Sequence, residues 1–220
     1  MTSADVTSVL RDAAPQLAGL APLARRVAAL DPRGVFRVRL DASSAAGYAR
    51  LPFGVLVGRT VRVTWAGPTT DWAVRARELV IWLDGGVAEP PEQRDLEWRG
   101  ALPPAEGWRR VERVPDAVVR NVVRKGASTF REAAEREGVR GAQPRAEVAD
   151  ALLDSVVLTA THGGLRAEVT LRAVSALTRM GFLPPGSHVA IDVCGRWTRV
   201  VAEYGSVYTE RPGMALGIVS

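Results

Sequence analysis

His188, Asp192 and Cys194 form the one stretch of the chain where a nucleophile, a base and a carboxylate fall close together in sequence. In an extended strand His188, Ala190, Asp192 and Cys194 share one face, and Val189, Ile191 and Val193 share the other. The chemistry such a set would support is a Cys-His-Asp nucleophilic site. Strand geometry decides against it. At about 3.3 Å per residue, His188 and Cys194 stand roughly 20 Å apart, far beyond hydrogen-bond reach. Asp192 and Cys194 can approach one another, but a neighbouring carboxylate raises a thiol pKa and so works against a thiolate. The expected role of the segment is the polar face of an amphipathic strand.

Other catalytic sets fail sooner. His162 lies in Thr161-His162-Gly163-Gly164, where a solvated loop histidine is the usual outcome. Two histidines and one cysteine match no zinc spacing, so no metal is expected. No Gly-x-Gly-x-x-Gly opens a helix, and Lys125-Gly126 is the reverse of a phosphate-loop Gly-Lys. There is no Gly-x-Ser-x-Gly elbow, and no cofactor is expected. The carboxylate pairs Asp95/Glu97 and Glu132/Glu135 sit in polar surroundings and read as solvated faces.

The positive lead is basic. Trp108-Arg109-Arg110-Val111-Glu112-Arg113 is followed by Arg120, Arg124 and Lys125, with only Glu112 and Asp116 as acids between 109 and 125. On a helix starting at Pro115, Arg120 and Arg124 stand one turn apart, away from the valine stripe. Glu132, Glu135 and Glu137 follow, so the charges run against the helix dipole, which favours acids first. Holding a phosphate or an acidic partner would account for that order. Trp98 and Trp108 nearby would stack on bases or anchor the connecting segment.

Composition tempers the lead. The net charge is +5, but 28 of the 29 basic residues are arginine and Lys125 is the only lysine, the pattern of GC-rich codons. Charge alone therefore does not argue for nucleic acid. The single cysteine excludes an intrachain disulfide and points to a reducing, cytoplasmic setting. The first residues lack the pattern of a secretory leader, and no apolar run approaches the ~20 residues that span a bilayer.

Two N-terminal helices are predicted, one on Val6, Val9, Leu10 and Ala13, the other on Leu20, Leu23, Val27 and Leu30. Alternation in Val35-Phe36-Arg37-Val38-Arg39-Leu40 predicts a half-buried strand. Ala42–Arg50, rich in Ala and Ser, predicts a short helix. Strands are predicted at 55–65, 72–77 and 79–83. Residues 84–107 carry the turn signals of a linker. A helix from Pro115 to Gly138 follows on Val119, Val122, Val123, Ala127, Phe130 and Ala134, then a second at 145–154. Strands 156–161 and 165–171 flank the Gly163-Gly164 hairpin signal. A helix at 173–182 and strands at 189–193, 197–203 and 207–210 complete the chain.

Phe36–Ala45 aligns without gaps on Ala167–Ala176, with Val, Leu, Ala, Ser and Ala coinciding. Leu51-Pro52 answers Leu183-Pro184, and Trp72 answers Trp197. The expected fold is therefore α+β: two related strand-helix-strand-strand halves, N-terminal helices, and a helical insertion between the halves. The corresponding division is 1–33, 34–86, 87–154 and 155–220, packed as one unit. This element order resembles the vicinal oxygen chelate family, built from paired βαβββ units. That resemblance implies a metal held by His and Glu on a cupped sheet, whereas the matching strands here offer Arg37, Arg39 and Glu168.

The functional expectation is a non-catalytic cytosolic protein acting through a protein interface or a small-ligand cleft between the halves. The apolar tail Pro212–Ser220 is expected either to dock on the protein's own core or to cross to a second copy as a dimer contact, so the partner is another protein or the chain itself. The alternative is a nucleic-acid-binding accessory protein using Trp108, Arg109, Arg110, Arg113, Arg120, Arg124 and Lys125. A loop-built enzyme site is the remaining class.

Overall fold

A computed structural model describes residues 11–136 and 149–210. The chain divides into two compact units, residues 1–102 and 103–220. It is a mixed α+β fold, as expected, with helices at the N-terminus and a long helix between two groups of strands.

In the first unit, residues 11–17 are helical and pass through a short turn, Ala18–Leu20, into α1 (Ala21–Leu30). Leu17, Leu20, Leu23, Ala24 and Val27 recur at helical spacing and are buried. Strands β1 (Val35–Leu40), β2 (Ser44–Arg50), β3 (Leu56–Arg62) and β4 (Thr70–Arg75) form an antiparallel sheet in the order β4-β1-β2-β3. β4 runs straight into α2 (Ala76–Leu83), which packs on α1.

Two expectations for this unit are corrected. Residues 44–50 form a strand, not a helix. The Asp41 carboxylate accepts hydrogen bonds from the Ser43 and Ser44 N–H groups and the Ser44 hydroxyl, which folds the chain back on β1. Ala45, Ala46 and Ala49 are buried, a Cβ at Gly47 would run into the Phe36 ring, and burial overrides the helix propensity of alanine. These bonds hold the Asp41 carboxyl below its usual range. Residues 79–83 form a helix, not a strand. Val80 and Ile81 suit a strand by type, but Ala76, Leu79 and Trp82 supply a buried i, i+3, i+6 stripe.

In the second unit, β5 (Arg109–Pro115) leads directly into α3 (Asp116–Arg136), and residues 149–153 are helical. β6 (Val156–His162) and β7 (Leu165–Thr170) form the hairpin expected at Gly163-Gly164. Both glycines have positive φ, 53° and 77°, the backbone that a two-residue turn of this hand demands. α4 (Leu171–Arg179) starts with the Thr170 side chain capping the Ala173 N–H. β8 (His188–Cys194), β9 (Trp197–Ala202) and β10 (Gly205–Glu210) join β5 in an antiparallel sheet, order β5-β8-β9-β10. α3 packs on α4, and Gly126 permits the approach: a Cβ there would lie 2.6 Å from Leu171 Cδ2.

The two units share one plan. Each has a helix followed by a three-strand meander, α1-β1-β2-β3 and α4-β8-β9-β10. Each also has an edge strand, β4 or β5, that pairs with the first meander strand and runs into the second helix. An internal repeat is therefore present in the architecture, but its register differs from the alignment of Phe36–Ala45 on Ala167–Ala176. That alignment lays β1 on β7 and the β1–β2 turn on α4; by topology the counterpart of β1 is β8. The βαβββ order resembling the vicinal oxygen chelate family fails at the same point, because β1 continues into a hairpin. The apolar tail Pro212–Ser220, expected as a contact, lies outside the described residues.

Candidate nucleic-acid interface

Arg109, Arg110 and Arg113, read in the sequence as the approach to a helix, lie on strand β5, and α3 begins at Asp116. A bulge between Arg110 and Glu112 breaks the pairing of β5 with β8. Arg109 and Arg113 are exposed. Arg110 is engaged: its Nε donates to Oδ1 of Asp192 on β8, which it faces in register.

Asp192 lies on the face of β8 expected to be polar, but that face is buried at this position. Its side chain is 3% exposed, and its second oxygen accepts from Arg199 Nη2 at 2.7 Å and Nε at 3.2 Å. Arg110, Asp192, Arg199 and Tyr208 are consecutive cross-strand partners on β5, β8, β9 and β10, so they share one sheet face. Trp108 covers the row. The Arg199 guanidinium lies 4.3 Å from the centre of its ring, and Tyr208 meets it at a tilt of 58°. The Trp108 indole N–H donates to the Pro104 carbonyl at 2.9 Å, so this tryptophan anchors its own segment. Burial holds the Tyr208 hydroxyl above its usual range. His188 and Cys194 stand at opposite ends of β8, as strand geometry requires.

The row predicts a stability effect. Arg199→Ala removes the better-buried of the two cations on a buried carboxylate, together with a stacked guanidinium. It is expected to destabilise the unit by about 2–3 kcal/mol, less than for a fully buried pair because Arg110 remains. Urea unfolding checks this as a lowered midpoint at unchanged slope.

On α3, Arg120 is also engaged. Its Nε donates to Asp116 Oδ2 at 3.0 Å, and its Nη2 donates to the Leu183 carbonyl. The Asp116 carboxyl is held below its usual range, first by Arg120 and then by the Gly186 N–H. The helix start is thus served by its own carboxylate, which weakens the expectation of a phosphate seated there. Arg124 and Lys125 are exposed and make no ion pair among the described residues. Arg120 and Arg124 border a shallow depression of about 600 Å³ between α3 and α4, floored by Ala117, Val123, Thr178 and Pro185. Among the described residues, no group of three or more His, Cys, Asp or Glu could hold a metal ion. No helix among them is long and apolar enough to cross a membrane.

A family described as a domain of unknown function, DUF8185, matches residues 103–214, which begin where the second compact unit begins. The chain belongs to the DUF8185 family. No curated protein matches the chain. Among solved structures, the chain is similar in fold to bacterial sliding clamps. The DNA polymerase sliding clamp from Bacillus subtilis has a TM-score of 0.54 at 11% identity, over 90% of this chain and 62% of the clamp. The beta subunit from DNA polymerase of Streptococcus pyogenes has a TM-score of 0.55 at 9% identity, over 87% and 62%. The sliding clamp from Caulobacter crescentus has a TM-score of 0.52 at 11% identity, over 91% and 65%. The DUF8185 chain thus spans less than two thirds of the length of these clamps. At such identities the likeness shows the fold alone, and the repeated plan of the two units is consistent with it.

Proposed function

We propose that the chain is a non-catalytic, clamp-like accessory protein that holds nucleic acid by its phosphates, through Arg109, Arg113, Arg124 and Lys125. One observation carries the reading: these four cations are exposed, and the nearby carboxylates are already taken by other arginines. Asp192 is neutralised by Arg110 and Arg199, and Asp116 by Arg120. Arg124 and Lys125 stand exposed without such partners among the described residues. Exposed cations of this kind suit the repeating charge of a phosphate backbone, and they carry no base readout. The fold likeness to DNA polymerase sliding clamps supports the reading. Trp98 and Trp108 are engaged with arginines of the protein itself, so the contacts expected are electrostatic and not base stacking.

A mobility-shift assay on duplex DNA tests the reading. The parent should shift DNA at low salt, and Arg124→Glu/Lys125→Glu should not. Absence of a shift by the folded parent at low salt would remove the proposal.

Val118, 41% exposed on α3, favours a protein partner as the second reading. That reading predicts binding that survives Arg124→Glu/Lys125→Glu and depends little on salt.

A further inference from the structure

Residues 94–98 run along the side of β4 that faces away from β1. The Arg94 N–H donates to the Ala73 carbonyl at 2.6 Å, and the Ala73 N–H donates to Asp95 Oδ1 at 2.6 Å. Glu97 pairs with Arg75 at 2.5 Å, and the Arg37 guanidinium lies 5.7 Å from the centre of the Trp98 ring. Trp98 is in turn tied to the Gly100 carbonyl at 3.0 Å, and the Arg99 carbonyl accepts from Arg50 at 2.9 Å. This segment is no strand. It turns through a short 3-10 helix, Asp95–Glu97, and occupies the edge by single ties.

We propose that residues 94–98 are a removable guard, and that the β4 edge beneath them is a self-pairing edge for a second copy of this chain. An unguarded strand edge is a template for another strand, and proteins cover such edges with loops or charges. The sequence of β4 is complementary to itself about Ala73. In a two-fold antiparallel pair centred there, Asp71 of each copy faces Arg75 of the other, and Trp72 faces Val74. The guard imitates that partner: Asp95 takes the Ala73 N–H, and Glu97 takes Arg75. Leu96, between these two acids, is 91% exposed, so the guard gains no apolar burial at its centre. Polar ties and one stacked indole hold it, and such ties are the kind that an equivalent strand can replace.

The test is the molar mass in solution, by light scattering over a concentration series. Asp95→Ala/Glu97→Ala/Trp98→Ala is expected to form a discrete species of twice the parent's mass. Adding Asp71→Arg should abolish that species, and adding Arg75→Asp as well should restore it, because the exchanged charges again match. Should the triple variant fail to fold by circular dichroism, Asp95→Ala and Trp98→Ala made singly should each strengthen self-association. A folded variant whose mass equals the parent's at every concentration overturns the proposal. So does a doubled species indifferent to Asp71→Arg, or polydisperse aggregation in its place.

Discussion

Phe36→Ala is expected to destabilise the first unit by about 3–5 kcal/mol, the cost of removing a buried aromatic from a core that cannot close around the space. Phe36 has no exposed surface, and Val38 and Leu40, on the same face of β1, have none either. The ring lies over Gly47 of β2, where any Cβ would fall well inside contact with it. Gly47 is therefore set by the ring, and the reverse substitution is informative. Gly47→Ala alone should overpack the site and cost about 1–3 kcal/mol. In the Phe36→Leu background its cost should fall, since a smaller neighbour leaves room. Such non-additivity is the mark of direct contact. Urea unfolding of the four proteins in this cycle supplies the numbers. Additive effects would contradict the placement of Phe36 against Gly47.

The second large effect concerns binding. Arg124→Glu/Lys125→Glu replaces two exposed cations with two acids. The loss of affinity for duplex DNA is expected to exceed about a hundredfold at roughly 0.1 M salt, while unfolding stays near the parent's. Both side chains are free of ion pairs among the described residues, which is why the fold should tolerate the change. Arg110→Glu and Arg120→Glu should behave in the opposite way. Arg110 meets a buried carboxylate, and Arg120 meets Asp116 and the Leu183 carbonyl. Reversal there places like charges together, so stability suffers first. Binding data on those two variants inform only after their folding has been checked. A result in which all four positions weaken binding equally without loss of stability would contradict the division between structural and free cations.

The parts of this molecule that were legible in the sequence are those whose signal is local. The alternation of Val35–Leu40 marks β1 because each second residue faces the helices, and Phe36, Val38 and Leu40 are fully buried. Gly163-Gly164 marks the β6–β7 turn because the backbone there needs positive φ twice. β2 was hidden because its alanines and glycine carry no β signal of their own. Gly47 among them has no side chain because the Phe36 ring lies above it. α2 was hidden because Val80 and Ile81 suit a strand, and only packing against α1 selects the helical stripe.

The candidate interface was half legible. All of its basic residues could be named, but not which of them were free. Arg110 is neutralised by a carboxylate that lies 82 residues away in the chain, and Asp192 is shared with Arg199 on a third strand. Trp98 and Trp108 likewise find their arginines, Arg37 and Arg199, on strands distant in sequence. Pairings of that kind are set by sheet register, which one sequence does not reveal. The guard on β4 escaped for the same reason, since Ala73 and Asp95 meet only across the folded edge.

The most direct measurement of the central claim is the salt dependence of duplex DNA binding, followed by fluorescence anisotropy between roughly 0.05 and 0.2 M salt. Contacts from Arg109, Arg113, Arg124 and Lys125 predict a log–log slope of about −3 to −4, falling to about −1 to −2 in Arg124→Ala/Lys125→Ala. A folded parent that binds no DNA at 0.05 M salt, or a slope that those substitutions leave unchanged, would contradict the claim.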